Sequence, residues 1–273
     1  MMFEKLYQQP ADKILALMAQ FRADPRDEKV DLGVGVYKDA SGNTPVMRAV
    51  KEAERRILAN QSTKSYVGLA GDPAFSDVMI KLVLGDTITH DRIAAVATPG
   101  GTGAIRQALE LIKLADATAT IWLSNPTWPN HPSIIKYLDM PMGTYRYFDN
   151  DTRGVDFDGM IEDLGAVAAG DVVLLHGCCH NPTGANLTKD QMAQVIAKVN
   201  AQSAIPLVDI AYQGFGDGLD EDAQATRAIA AGFENCLIAA SCSKNFGIYR
   251  ERTGIFMAIA KDTDQAALAQ QNM

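Results

Sequence analysis

Seven short apolar runs, separated by segments with helical spacing, occupy the chain from residue 93 onwards. They are residues 93–98, 119–123, 141–147, 171–176, 205–210, 237–241 and 255–260. Strands that alternate with helices form a largely parallel sheet, because each return crossing places a helix on a face of the sheet. We therefore predict an α/β fold with a mainly parallel central sheet and helices on both faces. Ligands of such sheets bind beyond the carboxyl ends of the strands, so we expect the chemistry in the loops there.

Helix signals precede and interrupt these runs. Apolar residues recur at helical spacing in residues 14–21 and again in residues 46–57, which predicts two helices. Asp72 stands before a proline, a pairing typical of a helix start, since the carboxylate caps free N–H groups and the proline lacks one. Thr188 and Gln191 have the spacing of a capping box.

The charge balance and the cysteines exclude several classes of partner. The formal net charge is −8, and nucleic acids and membrane surfaces are recognised by clustered positive charge, so we expect neither as a partner. No apolar run approaches the length of a membrane span and no signal peptide is evident, so we expect a cytoplasmic protein. The four cysteines follow no metal spacing, and His176 and His180 lie on a loop without a third ligand. We expect reduced thiols and no metal site.

A glycine-rich turn follows the first apolar run. It reads Thr-Pro-Gly-Gly-Thr-Gly from Thr98 to Gly103, between a predicted strand and a predicted helix. Glycines let the backbone approach an anion, the helix N-terminus offers free N–H groups, and Thr102 adds a hydroxyl. The turn matches neither a dinucleotide-binding motif nor a P-loop, so from these residues alone it is either a phosphate cradle or a tight connection.

Aromatic and polar side chains lie at or after the ends of three further runs. Trp128 is either a core residue or a flat plate for an aromatic ligand. Asn181 precedes a proline, which favours an extended conformation and directs its amide outward. Asp209, with Tyr212 three residues later, is either a helix cap or the partner of a protonated ring nitrogen.

A lysine preceded by two serines lies at the end of the sixth run. The serines are Ser241 and Ser243, the lysine is Lys244, and Arg252 follows it eight residues later. A surface lysine is usually only solvated. Hydroxyls and a guanidinium around an amine instead indicate an imine-forming lysine beside a phosphate site.

Taken together, these segments resemble the class I aminotransferases, and within them the aspartate and aromatic amino acid branch of the pyridoxal-phosphate (PLP) enzymes of fold type I. The resemblance extends from Pro10 to at least Gly254 and includes VDLGVGVY at residues 30–37, KSYVG at 64–68 and NPTWPNH at 125–131. Each motif is weak alone, but their order and intervals are specific. The resemblance implies an N-terminal arm and small-domain segment in residues 1–44, and a large PLP-binding domain in residues 45–273, with the small domain incomplete.

The resemblance also implies roles for single residues. Lys244 would hold the cofactor as an imine, Asp209 would pair with the ring nitrogen, and Trp128 would stack on the ring. Tyr212 and Asn181 would hydrogen-bond the ring hydroxyl. The implied phosphate ligands are Gly101, Thr102, Ser241, Ser243 and Arg252, with Tyr66 reaching the cofactor of a neighbouring subunit in a homodimer. The implied substrate-carboxylate ligands are Gly35, Trp128 and Asn181. His131 and His176 would contact the residues that bind the cofactor and would not contact the cofactor itself.

The implied reaction is transamination between an aspartate or aromatic amino acid and a 2-oxo acid, 2-oxoglutarate, by a ping-pong mechanism with PLP as cofactor. The family's two carboxylate-binding arginines have no counterpart in this sequence, and residues 261–273 resemble a helix cut short. Three alternatives stay open: an active aminotransferase of which this sequence is a part, a truncated inactive relic that still binds PLP, and other PLP chemistry such as decarboxylation. For the 273-residue chain itself we expect little or no aminotransferase activity.

Overall fold

The computed structural model describes residues 3–6, 13–31, 33 and 35–273. The described backbone divides into two compact units, Met1–Pro45 and Val46–Met273. Pro10, Leu32 and Val34, and the side chains of Ile14 and Leu15, fall outside the description, so the parts of the motifs that rest on them are not addressed.

The first unit is built around helix α1, Lys13–Ala23, which confirms the helix predicted over residues 14–21. The end of α1 is held by Lys29, whose ammonium group donates to the carbonyl oxygens of Phe21 at 2.9 Å and Asp24 at 2.6 Å. Positive side chains suit this position because the last carbonyls of a helix lack intrahelical donors.

The second unit contains a seven-stranded sheet in its described residues. The strands are β1 (Ile93–Pro99), β2 (Ile121–Asn125), β3 (Met142–Arg146), β4 (Val172–His176), β5 (Ile205–Ile210), β6 (Cys236–Ser241) and β7 (Thr253–Ile259). Their order is β1-β7-β6-β5-β4-β2-β3. The pairs among β2 to β6 are parallel, whereas β7 runs antiparallel to both β1 and β6. Each predicted apolar run is a strand, and the mainly parallel sheet is confirmed.

Helices cover both faces of this sheet. The described helices of this unit are α2 (Arg48–Asn60), α3 (Pro73–Leu84), α4 (Gly100–Ala115), α5 (Asn130–Tyr137), α6 (Phe157–Asp163), α7 (Lys189–Ala201), α8 (Gln224–Gly232) and α9 (Thr263–Gln271). Helix α2 has no buried residue, and the others pack on the sheet. Along β4, Val173 and Leu175 pack into the core with α3, α6, α7 and α8, while Val172 and Leu174 pack with α4 and α5. The alternation follows from the two-residue period of a strand and gives each face its own core. None of the helices in the described ranges is long and apolar enough to cross a membrane.

The predicted helix starts are confirmed in two cases and shifted in one. Asp72 caps α3 by accepting from Ala74 N at 2.9 Å. The Thr188 hydroxyl accepts from Gln191 N at 3.2 Å, and the Gln191 side chain accepts from Thr188 N at 2.9 Å, which completes a capping box on α7. The helix predicted from residue 46 begins instead at Arg48, and none of its residues is buried.

A side chain closes the outer edge of the sheet at β1. The Gln270 amide of α9 accepts from Ala95 N at 2.9 Å and donates to Ala95 O at 3.2 Å. An unpaired strand edge invites association with other chains, so this amide protects it as a neighbouring strand would.

Candidate active site

Three chain segments meet where β1, β6 and β7 approach the start of α4. A Cβ atom on Gly100 would lie 2.9 Å from Arg252 Nη2, and one on Gly101 would lie 3.0 Å from Ser241 Cβ. A Cβ on Gly254 would lie 2.6 Å from the carbonyl carbon of Gly100. Gly100 also has φ +74°, a conformation that side chains disfavour. Only glycines allow this approach, which brings Arg252 and Ser241 to the first turn of α4.

This junction forms a cradle for an anion. Helix α4 is 16 residues long, and no side chain caps its N-terminus, where Thr102 lies in the first turn. Ser243 N donates to Ser241 Oγ at 3.2 Å, which fixes the two serines relative to each other. Arg252 is exposed, has φ +53° and donates from Nη1 to Tyr249 O at 3.2 Å. Free helix N–H groups, hydroxyls and a guanidinium are the donors that a phosphate needs.

Lys244 lies half-buried next to this cradle. Its Nζ atom is 5.3 Å from the centre of the Tyr212 ring. Burial lowers the pKa of Lys244, and the positive charge of Arg252 lowers it further, while the negative charge of Asp209 opposes both. A lowered pKa increases the share of neutral amine, which is the nucleophilic form.

Asp209 is held charged in a poorly solvated position. Its side chain is 11% exposed, and its Oδ2 lies 2.9 Å from Nε2 of His131, which has no exposed surface. Burial alone would raise the pKa of Asp209, but the hydrogen bond from His131, together with the electrostatic influence of His131, His176 and Lys244, brings it below the ordinary value. Burial and then the charge of Asp209 raise the pKa of Tyr212, so its hydroxyl keeps its proton at neutral pH.

A directed chain of hydrogen bonds ends on Asp209. Asn181 N donates to His176 Nδ1 at 3.4 Å, so the Nε2 atom of a neutral His176 carries the proton. That Nε2 lies 3.4 Å from Thr127 Oγ1, which lies 2.8 Å from His131 Nδ1. Because Asp209 only accepts, His131 Nε2 carries a proton and its Nδ1 accepts from Thr127. Burial lowers the pKa of His176 to about 4, in keeping with a neutral ring.

Aromatic rings pack around this chain. Trp128 meets His131 edge-on at 5.3 Å between ring centres. His176 lies 4.1 Å from His180, which stacks on Tyr147 at 3.9 Å. Trp128 is half-buried and lies beside His131, which hydrogen-bonds Asp209. A flat ligand at this position would contact both Trp128 and Asp209.

Two residues that the sequence analysis missed belong to this assembly. Thr127 joins His131 to His176, and Ser124 Oγ lies 3.0 Å from His180 Nε2. Both lie in or next to the NPTWPNH motif, but a lone hydroxyl gives no signal of its partner in sequence.

The contacts of the cradle do not test the roles implied for Tyr66 and Gly35. The Tyr66 side chain is fully exposed. Gly35 is exposed and belongs to the Met1–Pro45 unit. Their implied roles, which involve a second subunit and a substrate, stay predictions.

A cleft of about 540 Å³ lies at the other end of the strands. It is lined by Val172, Ile205 and Leu237, which stand at or near the first residues of β4, β5 and β6. Its lining is largely apolar and contains neither a lysine nor an arginine. The chemistry therefore lies at the carboxyl ends of the strands, as the fold predicts.

Comparisons with known proteins agree with this geometry. The chain is 58% identical over 272 residues to the aromatic-amino-acid aminotransferase of Paracoccus denitrificans, covering all of this chain and 69% of that protein. It is 45% identical over 267 residues to the aspartate aminotransferase of Escherichia coli K12, covering 96% of this chain and 67% of that protein.

Solved structures give the same result. A structure of an aromatic amino acid aminotransferase with 3-indolebutyric acid matches with a TM-score of 0.97 and 58% identity, over 99% of this chain and 68% of the other. The aromatic-amino-acid aminotransferase of Burkholderia pseudomallei, covalently bound to pyridoxal phosphate, matches with a TM-score of 0.96 and 37% identity, over 100% and 69%. The family model for aminotransferases of class I and II matches residues 27–273. The chain belongs to the class I and II aminotransferase family.

Proposed function

We propose that this chain binds pyridoxal phosphate on Lys244 and serves transamination between aspartate or an aromatic amino acid and a 2-oxo acid. The observation that carries the proposal is the position of one half-buried lysine between a buried carboxylate, Asp209, and an anion cradle that ends in Arg252. A relative that matches over the whole chain is described as covalently bound to this cofactor.

The residues present fit the cofactor. Gly100 and Gly101 have no side chains, so Ser241 and Arg252 lie close to the N-terminus of α4. This N-terminus has no side-chain cap and is open to a phosphate group. Asp209 offers a fixed negative charge to a protonated ring nitrogen, and the Tyr212 hydroxyl offers a donor to the ring hydroxyl. Trp128, which follows β2, and Asn181, which follows β4, would also contact the cofactor ring.

When bound, pyridoxal phosphate supplies a conjugated ring that accepts the electron pair left when a substrate Cα–H bond breaks. Asp209 would hold a proton on the ring nitrogen, and His131 keeps Asp209 charged. The Lys244 amine would act as the general base for the Cα proton, and its lowered pKa suits it to that role. The finer parts of the proposal are 2-oxoglutarate as the amino acceptor and a ping-pong order of two half-reactions.

A homodimer is part of the same proposal. Helix α2 has no buried residue, and several large apolar side chains on either side of it and within it are exposed: Val46, Ile57, Leu58, Tyr66, Val67 and Leu69. Contiguous exposed apolar surface marks protein interfaces. Tyr66 would then reach the cofactor of the partner, and sedimentation of the chain with and without PLP would show whether a dimer forms.

The decisive experiment is chemical trapping. The 273-residue chain is incubated with PLP and reduced with borohydride, and its peptides are mapped by mass spectrometry. We expect the pyridoxyl group on Lys244, no trapped label in Lys244→Arg, and an unchanged label in Lys261→Arg, which alters an exposed lysine. A label on another lysine would remove the central residue of the proposal.

The amino donor is tested on the same PLP-loaded chain. Aspartate, tyrosine or 2-oxoglutarate is added separately, and the cofactor absorbance is followed. A ping-pong transaminase converts the cofactor with the amino acid alone and restores it with the oxo acid alone. A label at Lys244 without any conversion would instead support the alternative of a chain that binds PLP without turnover.

A further inference from the structure

Two adjacent thiols and a carboxylate lie close together in the segments that follow β4 and β5. The Sγ atoms of Cys178 and Cys179 and a carboxylate oxygen of Asp222 all lie within 4.8 Å of one another. Successive side chains of an extended segment point to opposite sides, which separates adjacent thiols. Cys179 instead has φ +48°, and this left-handed turn leaves both thiols on the same side as Asp222.

Asp222 is positioned before any ligand arrives. Its side chain is buried and accepts from three backbone N–H groups, those of Gly214 at 2.7 Å, Gly216 at 2.9 Å and Asp217 at 2.9 Å. An ionised carboxylate has about four acceptor sites, so one stays available. Orienting bonds of this kind are what metal-binding carboxylates usually have.

A cleft gives access to this cluster. A cavity of about 360 Å³ is lined by Cys178 and Asp222, and also by the acidic side chains of Asp217 and Glu221. The basic residues in the lining are Lys189 and His176, and burial lowers the pKa of His176 to about 4. The excess of negative charge favours a cation over an anion.

We propose that Cys178, Cys179 and Asp222 form a binding site for a thiophilic divalent cation of the zinc class, with water as the fourth ligand. Bonds of about 2.3 Å to sulfur and 2.1 Å to oxygen in a tetrahedron place the ligand atoms roughly 3.6 to 3.8 Å apart. The three atoms therefore need to draw together by about 1 Å or less, within the reach of side-chain rotation. Each thiol loses its proton to solvent as its sulfur binds the metal ion, so a sulfur–metal bond replaces each S–H bond.

Such an ion would tie two active-site loops together. Cys178 and Cys179 belong to the loop after β4 that leads to Asn181, and Asp222 fixes the loop after β5 that contains Tyr212. The ion would act as a structural clip, since it stabilises the folded chain by its binding free energy.

The site is tested by titrating the reduced chain with cadmium chloride, a spectroscopic substitute for zinc. We expect one ion per chain, an ultraviolet cadmium–thiolate charge-transfer band, proton release and a raised melting temperature. The double variant Cys178→Ser/Cys179→Ser should lose the band and the melting shift. Cys242→Ser, which alters a buried cysteine outside the cluster, should keep both.

Two results would overturn the proposal. One is cadmium binding by the double serine variant with unchanged affinity and stoichiometry. The other is unchanged affinity in Asp222→Asn, which would remove the carboxylate from the ligand set. Asparagine retains an acceptor for the loop N–H groups, and circular dichroism of this variant without metal verifies its fold.

Discussion

The Nε2 atom of His131 lies 2.9 Å from Oδ2 of Asp209, and the His131 side chain has no exposed surface. A buried carboxylate would ordinarily take up a proton, because desolvation penalises its charge. The hydrogen bond from His131, itself oriented by Thr127, reverses that effect and keeps Asp209 negative. The charge that the proposed chemistry needs is thus maintained by residues that need not touch a substrate.

Asp209→Asn should weaken PLP binding roughly 10- to 100-fold, the loss of one hydrogen bond to a charged group. Asp171→Asn is the matched control. Asp171 is also a buried aspartate, but it precedes β4 and accepts from Thr120 N, Trp122 Nε1 and Ala168 N at the amino ends of the strands. It should lower stability and leave PLP affinity unchanged. Spectroscopic titration with PLP measures both variants, and equal affinities for Asp209→Asn and the unaltered chain would contradict the assigned role.

Gly100→Ala should weaken PLP binding at least about tenfold through one displaced charged donor. The new methyl group would approach Arg252 Nη2 to 2.9 Å, and the flexible guanidinium would move away. Gly170→Ala is the control, because Gly170 also has positive φ, +85°, but has nothing within 4 Å of the added Cβ. Both variants should lose about 1 kcal/mol of stability from backbone strain. Comparable PLP affinities in the two variants would mean that Arg252 does not hold the phosphate.

The free energy of unfolding should fall as the pH is lowered from 7 to 5. Burial lowers the pKa of His176 to about 4 and that of His180 to about 3, whereas an unfolded histidine titrates near 6.5. In this window the unfolded chain binds protons that the folded chain does not, so acid favours unfolding. Each residue should contribute about 2 kcal/mol between the two pH values.

Urea unfolding at pH 7 and pH 5 measures this slope. His176→Asn should remove about half of the histidine contribution, whereas His90→Asn, which alters an exposed residue, should change the slope much less. An unchanged slope in His176→Asn would show that His176 is not buried in its neutral form.

Much of the fold could be predicted from local pattern. The apolar run in residues 205–210 and the cap at Asp72 are local features of the sequence, so strand β5 and the start of α3 could be predicted where the structure has them. The same holds for Lys244, whose loop follows the apolar run of β6, and for Asp209, which lies next to the last residue of the run in β5. A local pattern suffices here because backbone conformation and burial of one face depend mainly on residues a few positions apart.

The tertiary structure alone decided which of these loops meet. The insertion of antiparallel β7 between β1 and β6 places Arg252 against Gly100, 152 positions earlier in the chain. The contact of His131 with Asp209, 78 residues apart, and the meeting of Cys178 and Cys179 with Asp222 depend on the same strand order. Burial, which sets the pKa of Lys244 and of His176, likewise exists only once the layers have packed. Residue types and spacing determine the elements, but distances between side chains on different strands follow from the sheet order, which no short stretch of sequence encodes.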